Sequence, residues 1–103
     1  MRSTDALIEA AFDDAGLSLD ELCRASAVNP QWLHERLEAG LLPRCEGELA
    51  SWRFDAVTVR RVRRMRRIER DFDAVPELAA LVADLFDEID ALRARLRRAG
   101  LEE

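Results

Sequence analysis

The chain has 103 residues, of which 49% are hydrophobic and 36% are charged. This length and composition indicate one small folded domain, with room for an appended helix, and exclude a disordered chain. Lysine is absent, so every basic residue is an arginine, and the net charge is −5.

The charges are segregated along the chain. Residues 1–50 carry 4 arginines against 10 acidic residues, residues 51–70 carry 8 against 2, and residues 71–103 carry 4 against 9. Such an acidic, basic, acidic order indicates segments that pair with one another or charged faces that meet a partner.

Several classes of protein are disfavoured. The two cysteines, Cys23 and Cys45, do not form a disulfide framework. The N-terminus lacks the features of a signal peptide, and the sequence has no apolar run near the ~18 residues that a membrane span needs. We therefore expect a reducing cytoplasmic location without a membrane partner.

Residues 1–17 form an N-terminal segment whose structure the pattern leaves open. Leu7, Ile8, Ala11 and Phe12 fit one face of a short helix. The run 6–12 fits equally well a strand that pairs with a later wing, because so short a segment does not resolve the period.

Two short helices are predicted next, separated by three residues. Ser18 and Glu21 have the spacing of a capping box at the start of the first helix. Asn29 caps the second helix, and Pro30 occupies its first position. Gly40 ends that helix in a left-handed conformation. This spacing predicts a helix-turn-helix unit.

A small wing is predicted after the second helix. In residues 42–54, Leu49, Trp52 and Phe54 alternate with polar neighbours, which favours two short strands around a turn at Glu46-Gly47. We expect Trp52 and Phe54 to be mostly buried and Trp32, on the second helix, to be partly buried.

The third helix is predicted to begin after Asp55, its cap. A turn over 72–76 follows it, with Asp73 as a cap. Its apolar stripe consists of Val59, Val62, Met65, Ile68 and Phe72. Arginines fill the other faces between Arg60 and Arg70, and we expect them to pair with acids of the last helix, within or between chains.

The last helix is predicted from Pro76 to Ala99, with Gly100 after it. Its apolar residues recur at intervals of 4, 3, 4, 3 and 4, which is typical of a helix that pairs with a second copy. We expect its N-terminal half to pack inward, its C-terminal half to project, and the chain to be a homodimer. The seam consists of Leu78, Val82, Leu85, Ile89, Leu92 and Leu96.

Together these elements predict a mostly α fold. Residues 18–75 form a winged helix-turn-helix head, and residues 76–103 form a long C-terminal heptad helix. Short pieces of sequence then point to a family: "ELC" at 21–23, "GLLP" at 40–43, "WRFD" at 52–55, and an arginine-rich helix that leads into "LVADLFDEIDALRARL". This order resembles the MerR-type helix-turn-helix superfamily and, within it, the chaperone modulatory proteins.

The resemblance implies a non-enzymatic adaptor. Proteins of this kind bind the J-domain of a co-chaperone, curved-DNA-binding protein A, and block its work with Hsp70-class chaperones. A J-domain carries a basic helix beside its His-Pro-Asp loop, so its inhibitor is expected to present carboxylates. The candidate docking residues are Asp20, Glu21, Glu35 and Glu38, or the ridge of Asp84, Asp87 and Asp90.

Two other interpretations stay open. The acids on the front helices also fit an ordinary solvated surface. Alternatively, the chain is a MerR-type dimeric DNA-binding regulator, with Gln31, His34 and Arg36 in the groove and Arg44 and Arg53 on phosphates. Acids in the predicted recognition helix carry the wrong sign for that role.

Enzymatic and metal-binding functions are disfavoured. The sequence has one histidine and lacks a glycine-rich phosphate loop or a nucleophile motif. Cys23, His34 and Cys45 lack the spacing of a tetrahedral metal site. We expect no cofactor, a core position for Cys23 and a free, partly exposed thiol at Cys45.

Overall fold

The computed structural model describes residues 16–101, and this part of the chain is mostly helical. Its helices are α1 (Leu19–Ser26), α2 (Pro30–Glu38), α3 (Ala56–Phe72) and α4 (Pro76–Arg98), with one 3-10 turn at Leu49–Ser51. The mostly α class with a helix-turn-helix head and a long last helix is confirmed. The predicted helix or strand within 6–12 lies outside the described residues.

Local side-chain caps define the helix-turn-helix. The Ser18 hydroxyl accepts the Glu21 N–H at 3.2 Å, and the Glu21 carboxylate accepts the Ser18 N–H at 2.8 Å. Asn29 Oδ1 accepts the Trp32 N–H at 2.7 Å. Between the two helices, Ala27 adopts the left-handed conformation with φ of 57°. The predicted capping box, the second cap and the three-residue turn are therefore confirmed.

The two strands predicted in 42–54 are not formed, because the backbone there bonds locally. The Trp52 N–H donates to the Leu49 carbonyl at 3.1 Å, closing the 3-10 turn. The Trp52 indole N–H donates to the Gly47 carbonyl at 3.0 Å. The extended pairing found here is one antiparallel bridge between Leu17 and Phe54, with N–H to carbonyl distances of 2.9 and 2.8 Å.

The core lies between α1, α2, α3 and the segment after α2. Leu22, Leu33 and Met65 are fully enclosed, and Trp52 and Phe54 are buried with ring centroids 6.1 Å apart. Trp32 is partly buried against the same cluster. The predicted burial of these three aromatic residues is confirmed.

Helix α3 begins at the predicted cap, since the Asp55 carboxylate accepts the Thr58 N–H at 2.8 Å. Its apolar stripe is buried except at Phe72, which is 77% exposed, so the prediction for that residue was wrong. Asp73 does not cap α4: it adopts φ of 51° and ends α3, and Val75 precedes α4 without a side-chain cap. The chain reverses immediately after Phe72, which leaves the last turn of α3 beyond the core.

Helix α4 packs on α3 through small residues: Ala79, Ala80 and Ala83 are buried. The prediction that the first seam residues pack inward was wrong for Leu78 and Leu85, which stay about half exposed, while Val82 is partly buried. Alanines allow close helix approach, so they face α3 and the seam faces outward. Neither α4 nor another helix of the described chain combines the length and hydrophobicity required to cross a membrane.

Candidate partner-binding surface

A buried ion pair fixes the orientation of α2. Arg36 Nη2 lies 2.7 Å from Glu69 Oε1, and Arg36 Nε donates to Oε2 at 3.3 Å. The Trp32 indole N–H donates to the same carboxylate at 3.1 Å, and the Arg36 guanidinium lies 4.2 Å from the centre of the Trp32 ring. Both side chains of the pair are largely buried, so Arg36 is directed toward α3 and away from solvent.

The outward face of α2 presents two carboxylates, and the Arg36 guanidinium reaches one of them, with Nη1 3.1 Å from Glu35 Oε1. Gln31, His34, Glu35 and Glu38 recur at helical spacing and are exposed. Gln31 donates to Glu35 at 3.4 Å, and the His34 ring lies 3.7 Å from the Glu38 carboxylate. With a neutral histidine this face is negative, and we call these four residues the α2 face.

The acids of α1 differ in availability. Asp20 is exposed and pairs with Arg24 one turn away, at 2.5 Å. Glu21 is used in the capping box, and the hydrogen bond from the Ser18 backbone N–H is the main cause that lowers the pKa of its carboxyl. Arg53 and Arg24 lower this pKa further through their charges. Of these two acids, Asp20 is therefore the one whose carboxylate can bind a partner without breaking the helix cap.

The acidic ridge on α4 is neutralised within the chain. Arg61 lies 2.6 Å from Asp84. Arg64 bridges Asp87 at 2.8 Å and Asp90 at 3.2 Å. The predicted pairing between arginines of α3 and acids of α4 is present in the structure. A partner that bound these carboxylates would compete with two arginines already in place.

The residues of the DNA-binding alternative differ in exposure, and two of them, His34 and Arg44, line one pocket together with Glu38. Arg36 is held by Glu69, and Arg44 donates to the Leu37 carbonyl at 3.2 Å while it lies 5.6 Å from the centre of the Trp52 ring. Gln31, His34 and Arg53 are exposed. Of the three side chains predicted for the groove, the one positive charge thus faces inward.

A shallow acidic cleft lies beside the α2 face. Its volume is about 240 Å³, and it is lined by Glu35, Arg36, Ala39, Leu41, Pro76 and Glu77. Glu77, in the first turn of α4, was not among the predicted site residues. Glu35 and Glu77 line this cleft together with Arg36, whose Nη1 lies 3.1 Å from Glu35 Oε1.

Glu69 is the other residue that the sequence analysis missed. Residues 51–70 hold two acids, and Asp55 was assigned as a helix cap. Glu69 follows Ile68 of the buried stripe in a helix otherwise rich in arginine. This isolated acid next to the core was a signal for a buried pairing partner.

The two thiols occupy different environments. Cys23 is buried, and burial raises the pKa of its thiol. Cys45 is exposed, with Sγ 3.5 Å from the Arg53 carbonyl oxygen. Within residues 16–101, no group of three or more His, Cys, Asp or Glu side chains is placed to hold a metal ion.

Comparison with known proteins adds two matches. The model of the family described as "MerR HTH family regulatory protein" matches residues 17–99. The chain is 32% identical over 80 residues to a chaperone modulatory protein, CbpM, of Citrobacter koseri, across 74% of this chain and 75% of that protein. No solved structure matches the chain.

Proposed function

Because this chain belongs to the MerR helix-turn-helix family and, within it, to the chaperone modulatory proteins, we propose that it modulates a chaperone system without catalysing a reaction. In this proposal it binds the J-domain of a DnaJ-like co-chaperone and blocks the contact of that domain with its Hsp70-class chaperone. The observation that carries the proposal is the α2 face, where Glu35 and Glu38 are exposed while Arg36 is turned inward.

The sign of this surface selects the partner. In a helix-turn-helix protein that reads DNA, the second helix meets a polyanion, and carboxylates there repel phosphates. The same carboxylates attract the basic helix of a J-domain. Complementary charge of this kind mainly raises the association rate and suppresses wrong partners. The α2 face therefore suits a cationic protein better than a DNA duplex.

Asp20 and the acidic cleft extend the proposed contact. Asp20 lies on the neighbouring helix and is exposed. Glu77 lines the same cleft as Glu35. The ridge of Asp84, Asp87 and Asp90 is the less favoured docking surface, because its charges are compensated by Arg61 and Arg64.

Charge reversal separates these surfaces. Glu38→Lys is expected to weaken binding to an isolated J-domain by about ten-fold, mainly through a slower association rate at low salt. Surface plasmon resonance at two salt concentrations measures both rates. The matched control is Asp71→Lys, a charge reversal at an exposed position on α3, which should leave binding unchanged.

Three results contradict this proposal. One is a Glu38→Lys variant that binds as tightly as the unmodified protein, together with loss of binding on Asp87→Asn. Another is the absence of J-domain binding by the folded chain. The last is sequence-specific retention of a DNA duplex that falls steeply with salt, which supports the MerR-type regulator instead.

We also propose that the chain forms a homodimer through the seam of α4. The seam residues and their apolar neighbours on α4 are 41% to 54% exposed, apart from the partly buried Val82. Exposed apolar patches of this kind mark interaction sites. The partner is a second copy of α4, because a heptad-spaced stripe is complementary to itself. The exposed set is Leu78, Leu81, Leu85, Phe86, Ile89, Leu92 and Leu96.

A further inference from the structure

A second cleft, between the end of α1 and the outer side of α3, is lined by arginines. Its volume is about 310 Å³. The polar residues on its wall are Arg24, Ser26, Arg63, Arg66, Arg67 and Arg70. Its lining contains no carboxylate. Guanidinium groups gathered around one cavity create a positive potential that favours a bound anion.

The cleft between α3 and α4 provides a comparison. Arginines line it as well, but Asp87 and Asp90 are part of its wall and neutralise Arg64. In the cleft beside α1, Arg24 pairs with Asp20 and Arg70 with Asp71 on the exposed surface. Arg63 takes part in a further interaction within the chain. Arg66 and Arg67 remain, for which the described part of the chain provides no ion pair, although Arg67 also lines the cleft between α3 and α4.

A buried serine supplies an independent observation. Ser26 is 6% exposed, it lines the same cleft, and its hydroxyl has no hydrogen-bond partner in the described structure. An unpaired buried hydroxyl destabilises the folded chain. The Ser26 oxygen is covered in the free protein, so a rotation of its side chain would bring it to a ligand oxygen in the cleft, which would accept the hydroxyl proton and remove this penalty.

Planar guanidinium groups together with a hydroxyl donor are the chemistry that recognises phosphate oxygens. The carbonyl groups at the C-terminal end of α1 disfavour an anion, but their summed effect is about half an elementary negative charge. The positive charges of Arg66 and Arg67 outweigh it. We propose that this cleft, built by Ser26, Arg66 and Arg67, binds a phosphate group, either free or as part of a short polyphosphate chain.

Calorimetric titration of the full chain with inorganic phosphate and with tripolyphosphate, at constant ionic strength set with sodium chloride, tests the proposal. If inorganic phosphate binds saturably and tripolyphosphate does not, the ligand is free phosphate. If tripolyphosphate binds saturably and inorganic phosphate does not, the ligand is a polyphosphate. Arg66→Gln and Arg67→Gln should each weaken binding by about ten-fold. Arg98→Gln, the same change at an exposed position near the end of α4, should not weaken it.

Ser26→Ala distinguishes a ligand-binding hydroxyl from a merely structural one. Without phosphate, this variant should unfold at a temperature about 4 °C higher, because the unpaired hydroxyl is gone. With tripolyphosphate, it should bind more weakly than the unmodified chain. The proposal is overturned if neither anion binds saturably, if Arg98→Gln weakens binding as much as Arg66→Gln, or if Ser26→Ala leaves affinity unchanged.

Discussion

Arg36 of α2 and Glu69 of α3, 33 residues apart in sequence, form a buried ion pair with a shortest separation of 2.7 Å between nitrogen and oxygen. The Trp32 indole donates to the same carboxylate. This pair joins the helix that carries the proposed docking face to the helix that forms the back of the core. The same guanidinium also lies 3.1 Å from Glu35 of that face, through Nη1.

Loss of one partner of this pair should destabilise the protein strongly. We expect Glu69→Gln to lower the free energy of unfolding by about 3 kcal/mol, because it leaves the largely buried Arg36 charge with the exposed Glu35 as its carboxylate partner. Urea denaturation measures the change. Asp71→Asn removes the partner of Arg70 at the surface and should cost less than about 1 kcal/mol. Equal effects of the two substitutions would show that the buried pair does not hold α2 in place.

The local starts and ends of the helices were predictable because they depend on neighbours in sequence. Ser18 with Glu21, Asn29 and Asp55 each bond to a backbone N–H three residues away, as the sequence indicates. Phe72 shows the limit of the same reasoning. Its place in the apolar period is correct, but its exposure depends on where the chain reverses after α3.

The candidate site was predictable in its charges and not in its pairings. Glu35 and Glu38 are exposed as a helical period predicts. Whether Asp84 faces a partner or an arginine of the same chain depends on how α4 crosses α3, which sequence spacing does not specify. The buried Ala79, Ala80 and Ala83 determine that crossing. The sequence pattern predicts the leucines of the seam at the contact with α3, but the alanines occupy that contact in the structure.

The capping box of α1 should make the stability depend on pH. The hydrogen bond from the Ser18 backbone N–H lowers the pKa of the Glu21 carboxyl in the folded state. A carboxyl with a lowered folded pKa contributes stability above its unfolded pKa, and this contribution is lost as the pH falls through the folded pKa. We therefore expect acidification from about pH 7 to about pH 3 to destabilise the protein partly through this group.

Glu21→Gln isolates the effect. Glutamine can complete a capping box but does not titrate. Thermal unfolding should show the variant less stable than the unmodified protein at neutral pH and close to it at acidic pH, so that its melting temperature falls less on acidification. If the two melting curves shift in parallel across the whole range, Glu21 does not contribute to acid sensitivity.

Gly16 is expected to be intolerant of a side chain for two reasons. It adopts φ of +89°, and a Cβ atom at this position would lie 2.7 Å from the Phe54 carbonyl oxygen. That carbonyl accepts the Leu17 N–H in the bridge that ties the start of the head to the segment before α3. We expect Gly16→Ala to lower the free energy of unfolding by about 3 kcal/mol, from left-handed strain and displacement of the bridge.

Gly100→Ala provides the matched control for this substitution. Gly100 also has a positive φ, of +72°, but a Cβ atom there would have no neighbour within 4 Å. Its substitution should cost about 1 kcal/mol, from backbone strain alone. Chemical denaturation of both variants measures the difference. Similar losses at the two positions would mean that the contact with the Phe54 carbonyl adds nothing to the strain.

The seam of α4 yields the last prediction, which concerns oligomeric state. Ile89 and Leu92 are 41% and 47% exposed in one chain. Pairing of two chains would bury both residues in each chain, so one substitution affects two positions of the dimer. Ile89→Asp should therefore raise the dissociation constant of the dimer by about 100-fold or more. Sedimentation equilibrium over a range of concentrations measures this constant.

Ala91→Asp separates loss of the seam from a general effect of a new charge on α4. Ala91 is exposed on the same helix but outside the seam, so its substitution adds the same charge without altering the proposed contact. The dimer should persist in this variant, whereas Ile89→Asp should sediment as a folded monomer. Helical circular dichroism checks that both variants keep α4, since the buried apolar residues of this helix, Ala79, Ala80 and Ala83, all lie in its first half. If the unmodified chain stays monomeric at the highest attainable concentration, the proposed homodimer is wrong. The exposed seam would then be available to a different protein, and the J-domain would be the first candidate to test for binding to it.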